Sequence, residues 1–267
     1  MNLPLVCIGL ITFSSGSAPP PQGEILKLKD GTELRYAISL PKAARKKQPV
    51  PLIMALHYAW NGATPPANYG AEFMSLLIEP ALGRLGAIIV APVCPDQSWT
   101  VTRSEEAVLE LISSLESRYE VERSKVLITG FSLGGYGTWY MAARHPEIFS
   151  AAIPMAARPM PEWVEKIDRL PLFVIHSRRD QVVPIGPTEQ SMALLKKKGV
   201  PVKFLVIDDL GHYDTPGYVE YLAEAVPWVK QVWAGRWRAG RGTGPPGASA
   251  MRVCPAGGLS NHQIQVR

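Results

Sequence analysis

Short apolar segments alternate with helical stretches along most of this 267-residue chain, and that alternation leaves few folds open. Residues 51–57 (PLIMALH), 87–91, 125–129, 151–155, 172–176 and 202–207 read as strands, each a brief apolar run. Helices are expected around 71–82 and over 104–119, 135–144, 187–198 and 218–233. The clearest is 104–119, where Ala107, Val108, Leu111, Ile112 and Leu115 recur at helical spacing and acids occupy the first turn. Strands apolar along their whole length offer water no polar face. The sheet they form is therefore mostly parallel, with helices on both faces. Ahead of it, 24–29 and 32–39 flank Asp30-Gly31 and read as an antiparallel hairpin. The fold class is α/β, and functional residues belong in loops at the carboxyl ends of the strands.

Charge and cysteine usage narrow the partners. Against 23 Asp and Glu stand 28 Lys and Arg, a net +5 that lies entirely in the segment after residue 234: Arg236, Arg238, Arg241, Arg252 and Arg267, with no acid. The body carries no basic excess, so no nucleic acid is expected as a partner; a tail that tethers the protein to an anionic surface or RNA is the minority reading. Residues 234–267, rich in Gly, Arg and Pro, read as a disordered tail that buries too little to offset its ordering entropy. Residues 1–21 combine an apolar stretch, small residues and Pro19-Pro20-Pro21. They read either as a secretory signal peptide with a Pro-rich linker, which would place the protein outside the cytoplasm, or as a disordered or edge-strand N-terminus of a cytoplasmic one. Residues 22–233 are expected to form the folded domain. No apolar run approaches the roughly 18 residues of a membrane span. Cys7, Cys94 and Cys254 are too few and scattered for a disulfide framework or a zinc site, and no metal or organic cofactor is expected.

The chemistry is carried by Gly130-Phe131-Ser132-Leu133-Gly134-Gly135, between the 125–129 strand and a helix. This is G-x-S-x-G in a strand–turn–helix context, where a sharp turn lifts the serine hydroxyl above the sheet and glycines relieve crowding beside it. A serine hydroxyl is a poor nucleophile without a base. Of the five histidines, His212 follows the last strand, where the serine–acid–histidine order of such hydrolases requires it. Asp180, four residues past the 172–176 strand, is the acid expected to orient it, in preference to Asp208, Asp209 and Asp214. The oxyanion that forms would meet the N–H of Leu133 and, after the 51–57 strand, that of Ala59 or of Tyr58, whose hydroxyl is a further donor. Trp60 and Trp99 follow consecutive strands and are expected to line the pocket mouth, with Met155, Met160 and Trp163 as further candidates. Cys94, with no histidine expected in its neighbourhood, reads as a buried spectator rather than a second nucleophile.

Taken together, LITGFSLGGYGTWYMAA at 127–143, His145-Pro146-Glu147-Ile148-Phe149, Asp180-Gln181-Val182-Val183-Pro184 and Gly211-His212 resemble the α/β-hydrolase superfamily. The likeness is to the small serine esterases grouped with dienelactone hydrolases, phospholipase/carboxylesterases and poly(hydroxybutyrate) depolymerases, and spans about 34–232. It implies an α/β-hydrolase fold with Ser132 as nucleophile, Asp180 as acid and His212 as base. The chain departs from it twice. Dienelactone hydrolases use a cysteine where Ser132 stands, and many relatives have His-Gly where this chain has His57-Tyr58. Between Met155 and Leu172 there is room only for a short helix, not a lid. The function expected is hydrolysis of small-molecule carboxylic esters, short-chain or aryl, through an acyl-enzyme. A serine peptidase, a feruloyl- or polyester-type esterase and a catalytically silent binding module are the alternatives; the oligomeric state is left open.

Overall fold

The computed structural model describes residues 21–237; the signal-like segment up to residue 20 and the basic tail from residue 238 lie outside the described residues. The chain opens with the hairpin β1 (Gln22–Lys27) and β2 (Glu33–Ser39) and a one-turn helix α1 (Lys42–Arg45). There follow β3 (Val50–Leu56), the helical segment α2 (Tyr69–Phe73) and α3 (Glu79–Leu82), β4 (Ile88–Pro92) and α4 (Thr102–Arg118). The second half runs β5 (Val121–Phe131), α5 (Leu133–Arg144), β6 (Ala151–Met155), α6 (Pro161–Lys166), β7 (Leu172–Ser177) and α7 (Gly186–Lys197). It closes with β8 (Val202–Ile207), α8 (Tyr218–Ala223) and α9 (Ala225–Trp233).

The strands form one sheet in the order β1-β2-β4-β3-β5-β6-β7-β8. β1 and β2 are antiparallel to their neighbours; from β4 to β8 every pairing is parallel. Alternation along each strand feeds two cores. Leu52, Met54 and Leu56 of β3 face α4, α5 and α7, whereas Ile53 and Ala55 face α2, α3, α8 and α9. Strand order turns at β3: the chain moves first to β4 on one side, then to β5 on the other. The loops leaving β3 and β5 therefore diverge to opposite faces, opening a crevice at their carboxyl ends where α/β sheets bind ligands.

Two expected helices depart from regular α-hydrogen bonding beside a proline, which lacks the N–H that would satisfy the carbonyl four residues back, the first staying helical throughout. In the first, Pro80 follows a π-helical turn over Met74–Ile78 that joins α2 to α3. In the second, Pro227 sits in the first turn of α9, and the expected helix 218–233 divides at Glu224 into α8 and α9. The strand expected at 125–129 is longer, because β5 runs beside β3 from Val121 onward. Between β6 and β7 the only helix is the six-residue α6, so nothing the size of a lid covers the sheet there. Among the described residues no helix is long and apolar enough to cross a membrane. Buried Glu105 of α4 accepts from Tyr140, Arg144 and His145, tethering α4 to the far end of α5.

Candidate active site

Ser132 occupies the corner between β5 and α5 with φ 53° and ψ −116°, a conformation that L-residues rarely adopt and that persists only where the surroundings impose it. The corner is clamped on both sides: the Ser132 N–H donates to the Met155 carbonyl at 3.0 Å and its own carbonyl accepts from Tyr136 N–H at 2.9 Å. The flanking glycines are obligatory through space rather than through φ. A Cβ on Gly130 would lie 2.3 Å from the Gly134 carbonyl oxygen, and one on Gly134 only 1.8 Å from that of Leu56. Both obstacles are backbone. Gly134→Ala is accordingly expected to cost about 3 kcal/mol or more, and thermal unfolding should record a Tm lower by roughly 6–12 °C.

Three strand ends converge on the Ser132 hydroxyl. Its Oγ lies 2.8 Å from His212 Nε2, and His212 Nδ1 lies 2.8 Å from Asp180 Oδ2. The other carboxylate oxygen, Oδ1, accepts from the N–H groups of Val182 at 3.0 Å and Val183 at 2.7 Å. Burial by itself would raise the Asp180 pKa. Hydrogen bonds from His176, His212 and the Val183 N–H outweigh it and hold the carboxyl well below the usual carboxylate range. An anion that can only accept requires Nδ1 of His212 to carry the proton, which leaves Nε2 as acceptor for the serine hydroxyl. His212 is itself buried, and its backbone N–H donates to Gln181 Oε1 at 3.2 Å, tying its loop to that of Asp180.

The rejected carboxylates are engaged elsewhere. Asp208 pairs with Arg178 at 3.1 Å, Asp209 accepts from the Tyr221 hydroxyl at 2.7 Å, and Asp214 accepts from Gly211 N–H at 2.7 Å.

In front of Ser132 and His212 lies a cleft of about 440 Å³, walled by Tyr58, Ala59, Trp60, Tyr69, Leu76 and Tyr213. The loop after β3 forms its far wall and is braced from below by His57. The His57 Nδ1–H donates to the Tyr58 carbonyl at 2.7 Å and Nε2 accepts from Cys94 N–H at 3.0 Å. Burial lowers the His57 pKa to about 4, so the ring is a neutral strut. In a trans peptide the C=O and N–H point in opposite directions; drawing the Tyr58 carbonyl toward His57 therefore turns the Ala59 N–H the other way. The Ala59 carbonyl accepts from the Tyr69 hydroxyl at 2.9 Å, which fixes the next peptide as well. Neither the Tyr58 nor the Ala59 N–H has an acceptor among the described residues. Leu133, first residue of α5, likewise presents an N–H with no intrahelical partner.

The tryptophans part company. Trp60 stands in the cleft wall, while Trp99, expected at the mouth, is 1% exposed and packs beneath the β3 loop, its indole N–H donating to the His57 carbonyl at 2.9 Å. A buried indole needs an acceptor, and that carbonyl draws it inward. Met155 and Trp163 are buried, and neither they nor Met160 line the cleft. Cys94 is buried and its thiol is pushed up to about 11 by burial, but a histidine does adjoin it: His57 binds its backbone N–H rather than its sulfur.

Sequence reasoning passed over Tyr69, Leu76 and Tyr213, which complete the cleft. Tyr213 adjoins His212 and was findable by position. Leu76 reaches the rim on the π-helical turn, which no periodicity announces.

Residues 96–242 match the family described as "Putative esterase". The chain is 26% identical over 205 residues to the "Putative carboxymethylenebutenolidase" of Aquifex aeolicus (strain VF5), covering 69% of this chain and 83% of that protein. It is 29% identical over 113 residues to acetylxylan esterase A of Aspergillus awamori; there the match covers 38% of this chain and 35% of the relative. Among solved structures, a thermostable esterase superposes with a TM-score of 0.67 at 26% identity, covering 79% of this chain and 63% of that one.

Proposed function

The chain belongs to the esterase family that its residues 96–242 match and is a carboxylic ester hydrolase of α/β-hydrolase fold; we propose that it acts through Ser132, His212 and Asp180 by way of an acyl-enzyme. One observation carries the reading: Ser132, His212 and Asp180 are joined by two contacts of 2.8 Å, with the serine facing a cleft. His212 takes the hydroxyl proton as Ser132 Oγ attacks the ester carbonyl. Asp180 stabilises the imidazolium, and the N–H groups of Leu133 and Ala59 receive the oxyanion. His212 then protonates the departing alcohol, and water, deprotonated by the same ring, releases the acid and restores the serine.

The cleft is walled largely by aromatic and aliphatic side chains, and the short β6–β7 connection leaves it open. Its volume suits a small acyl or aryl group, and the likeness to an acetylxylan esterase supports a short acyl chain. A panel of p-nitrophenyl esters of graded chain length, run beside an emulsified long-chain triglyceride and a p-nitroanilide, tests this. The acetate or butyrate is expected to exceed the palmitate in kcat/KM by at least about 100-fold, with no rise in rate at the emulsion interface. Faster turnover of the emulsion would contradict the open, short-chain cleft, and faster cleavage of the anilide would favour a peptidase.

A further inference from the structure

We propose that His176 is a positioning residue for this reaction, holding the Asp180 carboxylate in the orientation that the His212 ring requires. The inference rests on the reading of Asp180 as the acid. His176 is wholly buried near the carboxyl end of β7, four residues before Asp180, and lines no part of the cleft. Its Nε2 lies 2.8 Å from the Val183 carbonyl oxygen and 3.5 Å from Asp180 Oδ2. Two acceptors at one nitrogen require that nitrogen to carry the proton. Nδ1 then accepts from the Thr188 hydroxyl of α7 at 3.0 Å, which fixes the tautomer from the opposite side.

The consequence is a closed set of contacts around the carboxylate. Oδ1 is gripped by two backbone N–H groups, while Oδ2 faces both His212 Nδ1 and His176 Nε2. Val183 is used twice: its N–H donates to Asp180 and its carbonyl accepts from His176. The acid loop between β7 and α7 has no regular secondary structure of its own, so these contacts determine where the carboxylate points. Without the His176 donor, Oδ2 has less to resist rotation away from His212, and the Val183 carbonyl loses its partner. The loss falls on the step in which His212 becomes charged, and therefore on kcat rather than KM.

The test compares His176→Asn with His176→Gln on p-nitrophenyl acetate, each normalised to folded protein by thermal unfolding. A glutamine amide reaches the position of the ring Nε2 and can donate there; an asparagine amide stops short. His176→Asn is expected to lower kcat roughly 10–30-fold, as removal of a donor that faces a buried carboxylate implies, with KM within about twofold. His176→Gln should stay within about threefold of wild type. Wild-type kcat in His176→Asn, or equal losses in both variants, would overturn the proposal. Should His176→Asn fail to fold, His176→Leu, which fills much of the same space without a donor, decides: kcat at least about threefold lower at unchanged KM supports the proposal and wild-type kcat overturns it. Asp180→Asn run alongside separates the two claims. If it keeps wild-type kcat the acid is misassigned; if it is inactive while His176→Asn is not, only the role of His176 falls.

Discussion

Ser132→Ala is expected to lower kcat on a short p-nitrophenyl ester by about 10⁶-fold, because the variant has no atom to form the acyl-enzyme and keeps only the oxyanion donors and the binding cleft. The fold should be indifferent. The Ser132 side chain makes one hydrogen bond, to His212 Nε2, and alanine keeps the same Cβ at the same φ of 53°. The strain of the corner is therefore common to both proteins, and thermal unfolding should differ by no more than about 2 °C. A variant that folds and turns over near the wild-type rate would remove Ser132 from the mechanism.

Asp180→Asn is the second large effect, and its mechanism can be followed atom by atom. Two backbone N–H groups require an acceptor at the Oδ1 position, so the new amide must set its oxygen there and its NH₂ toward His212. His212 Nδ1 then has to accept, the ring proton moves to Nε2, and the serine hydroxyl faces a donor instead of a base. The expected loss in kcat is about 10⁴-fold with little change in overall structure. Asp209→Asn, which alters only the bond from the Tyr221 hydroxyl, should change kcat by less than about twofold. Reversal of the two results would place the acid in the other loop.

Much of this architecture was readable from residue order. Strands buried on both faces announce themselves as apolar runs, and all eight strands fall close to their expected positions. The carboxyl-end rule then ranked candidates by where they follow a strand, and Ser132, Asp180 and His212 do meet at one place. The same rule failed on Trp99. Position after a strand locates a residue at the rim but not the direction of its side chain, which here is set by the need of a buried indole N–H for the His57 carbonyl. Helix periodicity likewise carried through Pro80 and Pro227, where the missing N–H interrupts regular helix. His57 and His176 were visible as strand-end histidines. Their partners, Cys94 N–H and Thr188 Oγ1, come from a loop 37 residues on and from the following helix, and which ring nitrogen meets them is set only in the folded chain.

Catalysis as proposed depends on Ser132 being made nucleophilic by the His212–Asp180 pair. Treatment with a fluorophosphonate, followed by peptide mass mapping, tests it most directly, since the reagent captures a serine only where a base activates it. About one equivalent of label per chain is expected, on the peptide carrying Ser132, and none after His212→Ala. Label on another residue, or undiminished label at Ser132 in the folded His212→Ala protein, would contradict it.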